Sequence, residues 1–102
     1  MHDTSEANEK PLVLHLRFRG RVQGVGFRAT VLALSGQFTV TGRVWNCWDG
    51  SVGATIEGGR VQVNGLRDRI LESMRRNIEE WTQQEESAMP KWSDFRIGPD
   101  QP

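Results

Sequence analysis

The chain has 102 residues, with thirteen basic and thirteen acidic side chains and a formal net charge of zero. That length supports one small domain with a modest core, and the balanced charge by itself names no partner. One cysteine excludes an internal disulfide framework, and His2 and His15 as the only histidines leave no zinc set.

The stretch Met1 to Lys10 is polar and acidic, with no apolar run of the kind a secretory signal needs. Residues 1–11 read as a flexible tail. No segment approaches transmembrane length, so a cytoplasmic protein without a membrane partner is the expectation. From Leu12 to Phe18 apolar residues alternate: Leu12, Leu14, Leu16 and Phe18 face a core, while Val13, His15 and Arg17 face away. His15 on that second face reads as a sheet-surface residue rather than a catalytic base.

Strand one runs into Gly20-Arg21-Val22-Gln23-Gly24-Val25-Gly26-Phe27-Arg28, and helical spacing then begins at Phe27, Val31 and Leu34. Glycines at 20, 24 and 26 let main-chain N–H groups converge on one point. The helix N-terminus adds unpaired donors and partial positive charge. Arg28, in the first turn, adds a planar fork of donors. The N–H groups of Gln23, Gly24, Val25, Gly26, Phe27 and Arg28 thus form a candidate cradle for a phosphate-like anion. A tight turn that merely needs flexible residues is the plainer reading. A Walker loop is excluded because no Gly-Lys-Ser/Thr follows. Gly24-x-Gly26-x-x-Ala29 fits the dinucleotide fingerprint in form, but no acid occurs between Lys10 and Trp48 to hold a ribose. That same acid-free span holds Arg17, Arg19, Arg21, Arg28 and Arg43, a basic region suited to attracting anions.

The first helix ends either near Ser35 or beyond Gly36, where glycine costs about 1 kcal/mol relative to alanine. Thr39 to Trp45 reads as a second strand, Asp49-Gly50 as a hairpin turn, and Val52, Ala54 and Ile56 alternate along a third strand. Asn46 stands between strand and turn, either bonding its own backbone or serving a site. Cys47 reads as a small buried or turn residue, since no histidine lies near it in sequence. Glu57 to Arg60 is a break. Val63, Leu66, Ile70 and Met74 mark a second amphipathic helix, with its charged residues solvated. Ile78 to Glu86 suits a fourth strand at an edge, with Trp81 packed inward and the glutamates exposed. Residues 88–91 connect to a short last strand around Phe95 and Ile97, and residues 99–102 form a tail. The order βαββαβ plus a short extra strand predicts an α+β, ferredoxin-like sandwich over 12–98, with two helices on one face of an antiparallel sheet.

Thr41-Gly42-Arg43-Val44-Trp45-Asn46-Cys47-Trp48-Asp49-Gly50-Ser51-Val52, set beside the loop from Gly20 to Arg28, resembles the acylphosphatase family. Its members carry G-x-V-Q-G-V-x-F-R and then G-x-V-x-N-x-x-D-G-x-V. The resemblance implies a phosphate held by the loop and Arg28, and an attacking water positioned by Asn46. It also implies direct hydrolysis of small acyl phosphates without metal or cofactor, in a chain expected to be a monomer. Chemistry agrees: a departing carboxylate needs no protonation, so positioning and charge stabilisation suffice.

Family members often have an aromatic residue where this chain has Arg43 and a base where it has Trp45. The two share one strand face, so stacking between them is possible. Three other readings remain: a carbamoyl phosphate specialist, a catalytically silent anion-binding domain, and an RNA-binding module. The last is disfavoured because Ser51-Val52-Gly53-Ala54-Thr55 offers no aromatic residue, so no nucleic-acid partner is expected.

Overall fold

The alternation from Leu12 to Phe18 does produce an interior strand of the sheet. In a computed structural model that describes residues 10–102, β1 spans Pro11–Gly20 and is followed by α1 (Phe27–Ser35), β2 (Val40–Asn46), β3 (Val52–Gly59), α2 (Arg60–Ser73), β4 (Ile78–Glu86) and β5 (Phe95–Ile97). The tail expected over residues 1–11 lies outside the described residues except for Lys10 and Pro11. The strands form one sheet in the order β4-β1-β3-β2-β5. Leu14 opposite Ile56 and Leu16 opposite Ala54 set a register that turns the apolar side chains of both strands to one face. Against that face pack Phe27, Val31 and Leu34 of α1 and Val63, Leu66 and Ile70 of α2. Full burial of each such side chain is worth about 1.5–3 kcal/mol. Gly65, inside α2, admits the ring of Phe38, whose Cε1 would lie 2.6 Å from an added Cβ.

Four expectations need correction. The sheet is mixed, because β5 pairs in parallel with β2 while the other pairings are antiparallel. Chain leaving β4 at one edge crosses to the opposite edge, and the direction of that crossing fixes the parallel pairing. Residues Glu57 to Gly59 are not a break: Val40 opposite Gly58 and Pro11 opposite Gly59 extend β3, and α2 starts at the next residue. Ladder bonds on both sides override the local glycine signal there. Trp81 faces the helix layer but stays 39% exposed, because β4 lies at an edge that the helices do not fully cover. Arg43 does not stack on Trp45; its guanidinium carbon lies 5.0 Å from the ring centroid of Trp92. The end of α1 is settled at Ser35, with Gly36 as its C-cap.

Trp92 reaches Arg43 because the connector is pinned by Glu57. This carboxylate is 1% exposed and accepts bonds from the Thr41 hydroxyl and from the main-chain N–H groups of Lys91 and Trp92. Those bonds replace the water it gave up on burial. The segment expected as a C-terminal tail also has main-chain partners. Gln101 N–H donates to Asn46 and Trp48 N–H to Gln101, at 3.0 and 2.8 Å, while Gly98 N–H, just before that segment, donates to Val44 at 2.9 Å.

Candidate active site

The loop after β1 is fixed at both ends by burial. Val22 and Phe27 are each 1% exposed, and the Phe27 ring packs 5.2 Å from that of Phe18. Arg21 exchanges bonds with Asn77, donating its N–H at 2.9 Å and accepting from the carboxamide at 3.1 Å. Between these anchors Gly24 and Gly26 take φ of 77° and 78°, the left-handed region that side-chain-bearing residues rarely enter. Gly26 is the N-cap of α1, and it supplies no side-chain oxygen to the first-turn N–H groups. No acid occurs in that turn either. The positive end of the helix is therefore open toward whatever lies before it.

A pocket of about 190 Å³ lies there, lined by Val22, Gly24, Gly26, Phe27, Arg28, Ala29, Asn46 and Ile97. Its volume falls below the ~300–1,000 Å³ of pockets for drug-sized ligands and suits a small anion. Of the candidate residues, Gly24, Gly26, Phe27, Arg28 and Asn46 meet on this wall. Gln23 and Val25 do not line it. The Gln23 carboxamide turns instead to the β2–β3 hairpin and donates to the carbonyls of Cys47 and Ser51, at 2.7 and 2.8 Å. Val25 is 40% exposed at the loop tip.

Asn46 ends β2, with its main chain held by Val52 on one side and Gln101 on the other. Its Oδ1 is buried without a hydrogen-bond partner, one of two such side-chain atoms among the described residues. Buried acceptors nearly always have a donor, so this unmet capacity, in a residue that lines the pocket, points to a role in binding. It disfavours the alternative of an Asn that merely bonds its own turn. Cys47, next to it, is buried as expected.

Arg28 is partly exposed, and Asp100 Oδ1 lies 3.9 Å from its Nη1. Ile97 and Asp100 were not identified from the sequence. Parallel pairing of β5, carried on by Gln101 beside Cys47, brings both to the site, and no local pattern encodes that pairing. The hairpin turn below Asn46 is also well fastened. Asp49 accepts the Ser51 hydroxyl at 2.6 Å and the Ser51 N–H at 3.0 Å, and Arg19 donates to its other oxygen at 3.0 Å. These bonds, the Ser51 hydroxyl foremost, hold the Asp49 carboxyl well below the usual carboxylate range.

The pocket therefore offers one guanidinium, an open helix N-terminus and one carboxamide. Among the described residues no three His, Cys, Asp or Glu side chains group as metal ligands. Such a set can grip tetrahedral oxygens and orient a water, and it holds no obvious side-chain nucleophile.

Comparison with known proteins agrees with that chemistry. The family model described as acylphosphatase matches residues 14–97. An acylphosphatase from Caldanaerobacter subterraneus subsp. tengcongensis is 35% identical over 89 residues, covering 82% of this chain and 94% of that protein. One from Shewanella oneidensis is 47% identical over 51 residues, covering 50% of this chain and 57% of that protein, so the match spans little more than half of it. Among solved structures, an acylphosphatase from Coxiella burnetii superposes with a TM-score of 0.74 at 26% identity, covering 87% of this chain and 94% of that one. The crystal structure of acylphosphatase from Bacillus subtilis gives 0.71 at 25% identity, covering 85% and 98%. With the matched span running from within β1 to the end of β5, this chain belongs to the acylphosphatase family.

Proposed function

We propose that this pocket carries out the family's reaction, hydrolysis of acyl phosphates to a carboxylate and inorganic phosphate, by direct attack of water. The main-chain N–H groups of the loop between Gly24 and Arg28 that face the pocket and the Arg28 guanidinium hold the phosphoryl oxygens. As the transition state develops, charge redistributes over those oxygens, and preorganised donors stabilise it most there. Asn46 accepts a hydrogen bond from the attacking water through Oδ1 and aims the water's lone pair at phosphorus. The new P–O bond forms as the bond to the acyl oxygen breaks. The bonding pair leaves on the carboxylate; one of the water's protons stays on the new phosphate hydroxyl, and the other passes to a second phosphate oxygen or to solvent. No step needs a side chain that titrates near neutral pH. Gln23, set back from the pocket, acts through its side chain, which braces the loop against the hairpin. The reading also includes a monomeric, cytoplasmic enzyme working without metal or cofactor.

The observation that carries this reading is the meeting of Arg28, the uncapped α1 N-terminus and the partnerless Asn46 Oδ1 on one small pocket. The test is phosphate release from acetyl phosphate in the presence of a chelator, with phosphate monoesters and carbamoyl phosphate as comparisons. Turnover of the acyl phosphate but not of the monoesters supports the reading. Absence of turnover above the uncatalysed rate would leave a silent anion-binding domain. A strong preference for carbamoyl phosphate would make the chain a specialist.

A further inference from the structure

The sheet face turned away from the helices carries a second, larger groove of about 560 Å³, whose lining includes Arg17, Arg19, Trp45, Thr55, Thr82 and Gln84. No carboxylate lines it. The register places Thr82, Arg17, Gly53 and Trp45 in one row across β4, β1, β3 and β2. At Gly53 an added Cβ would fall 2.6 Å from Cε2 of Trp45 and 2.7 Å from both Cζ2 and Nε1. Near-equal approach to three bonded ring atoms is contact with the ring's face, not its edge. The indole of β2 therefore lies over β3, with Gly53 making the room. The third strand, which has no aromatic residue of its own, is given one by its neighbour. Trp45 remains only half-buried, so the platform stays accessible.

Beside the platform stand two guanidinium groups. Arg17 Nη1 bonds the Ser51 hydroxyl at 3.2 Å and lies 3.7 Å from Asp49. Arg19 lies 3.0 Å from Asp49 and 3.9 Å from Glu80. Each arginine has five N–H donors, so these contacts leave donors on both for a ligand. Asp49 and Glu80 lower the net charge at this end, which sets the expectation of modest affinity with marked salt dependence. His15 is engaged between Thr55 and Glu86, at 3.2 and 2.9 Å. Adjacent strands lie about 5 Å apart, so one strand spacing separates the ring over Gly53 from the Arg17 backbone. A ribose can bridge that gap.

We propose that this groove binds a nucleoside monophosphate, with its base stacked on Trp45 and its phosphate on Arg17 and Arg19. Thr55, on β3 beside the platform, and Thr82 and Gln84, on β4 beyond Arg17, line the groove as further donors and acceptors for sugar and phosphate. A single nucleotide fits better than a strand. The connector crosses the far end of this face, where Glu57 bonds the N–H groups of Lys91 and Trp92, and the groove offers one ring. The proposal does not depend on the hydrolytic reading, because the two sites lie on opposite faces of β2, marked by Trp45 and Asn46.

The test is a titration of the protein with adenosine monophosphate, followed by amide and indole NMR shifts. Shifts centred on the Trp45 indole N–H, Arg17, Thr55 and Gln84 are expected, with binding weakening as salt rises. Trp45→Leu should weaken binding at least about tenfold, as loss of a stacked base typically does. Arg17→Gln gives a second reading should the first variant fail to fold, with a loss of similar size. Arg28→Ala should leave this binding unchanged. Shifts centred on Gly24 to Arg28, or loss of binding in Arg28→Ala, would overturn the proposal in favour of the phosphate loop. So would absence of binding, or an eight-base single strand binding far more tightly than the mononucleotide.

Discussion

Gln23 and Ser51 are joined by a 2.8 Å bond from carboxamide to carbonyl, and the same Gln23 nitrogen donates to Cys47 at 2.7 Å. These bonds tie the loop that carries Arg28 to the hairpin that carries Asn46, two elements otherwise separated by a helix and a strand.

Gln23→Ala removes both bonds and leaves two partly buried carbonyls without that donor. A loss of about 1–3 kcal/mol in stability is expected from two hydrogen bonds of ordinary strength, read by urea unfolding. Turnover should fall at least about tenfold, because small misplacements of reacting groups are costly. A stable variant with unchanged kcat would remove the brace from the account.

Gly42→Ala tests the packing of β2 between its neighbours. Gly42 has φ of 153°, and an added Cβ would lie 2.0 Å from the Thr55 carbonyl oxygen. The Thr55 main chain cannot yield cheaply, so destabilisation of about 3 kcal/mol or more is expected. In a domain of this size that lowers Tm by more than 10 °C, roughly. A shift of only a few degrees in a thermal melt would show that the strand relaxes there.

Asp49→Asn should destabilise the protein at pH 7. The Asp49 carboxyl is held well below the ordinary aspartate range, first by the Ser51 hydroxyl, then the Ser51 N–H, then Arg19. A depressed folded-state value contributes stability that is present above the unfolded-state value and is lost as pH falls through the folded-state one. The gap between wild type and Asp49→Asn should therefore be full at pH 7 and shrink as the pH drops below about 3.9. A gap that persists unchanged in acid would assign the effect to geometry instead of charge.

Asp100→Asn removes a carboxylate lying 3.9 Å from Arg28. Both side chains are substantially exposed, so stability should change by less than about 1 kcal/mol. The carboxylate repels an incoming phosphate, and its loss should lower KM for an acyl phosphate about two- to threefold at low salt. That difference should fade at high salt. A fall in kcat with unchanged KM would mean that Asp100 orients the guanidinium instead.

The sequence exposed whatever is encoded locally. Alternation from Leu12 to Phe18 located the first strand, and Gly24, Gly26 and Arg28 marked a strand-to-helix loop. The separation between that loop and Asn46, read with the family's two motifs, paired residues that the structure places on one wall. Features set by distant pairing were hidden. Ile97 and Asp100 reach the pocket through a parallel ladder formed after the chain crosses the sheet, and nothing near them in sequence announces it. Gln23 was visible as a loop member, but its turn toward the hairpin depends on carbonyls more than twenty residues on. Trp45 and Gly53 lie on separate strands, so only the register shows that one covers the other.

Arg28 and Asn46 together carry the central claim, and steady-state turnover of acetyl phosphate by Arg28→Ala and Asn46→Ala tests it most directly. With both variants folded by circular dichroism, the account predicts that each loses at least about a hundredfold in kcat/KM, the usual cost of removing one preorganised group. Turnover within a few-fold of wild type in either variant would contradict it.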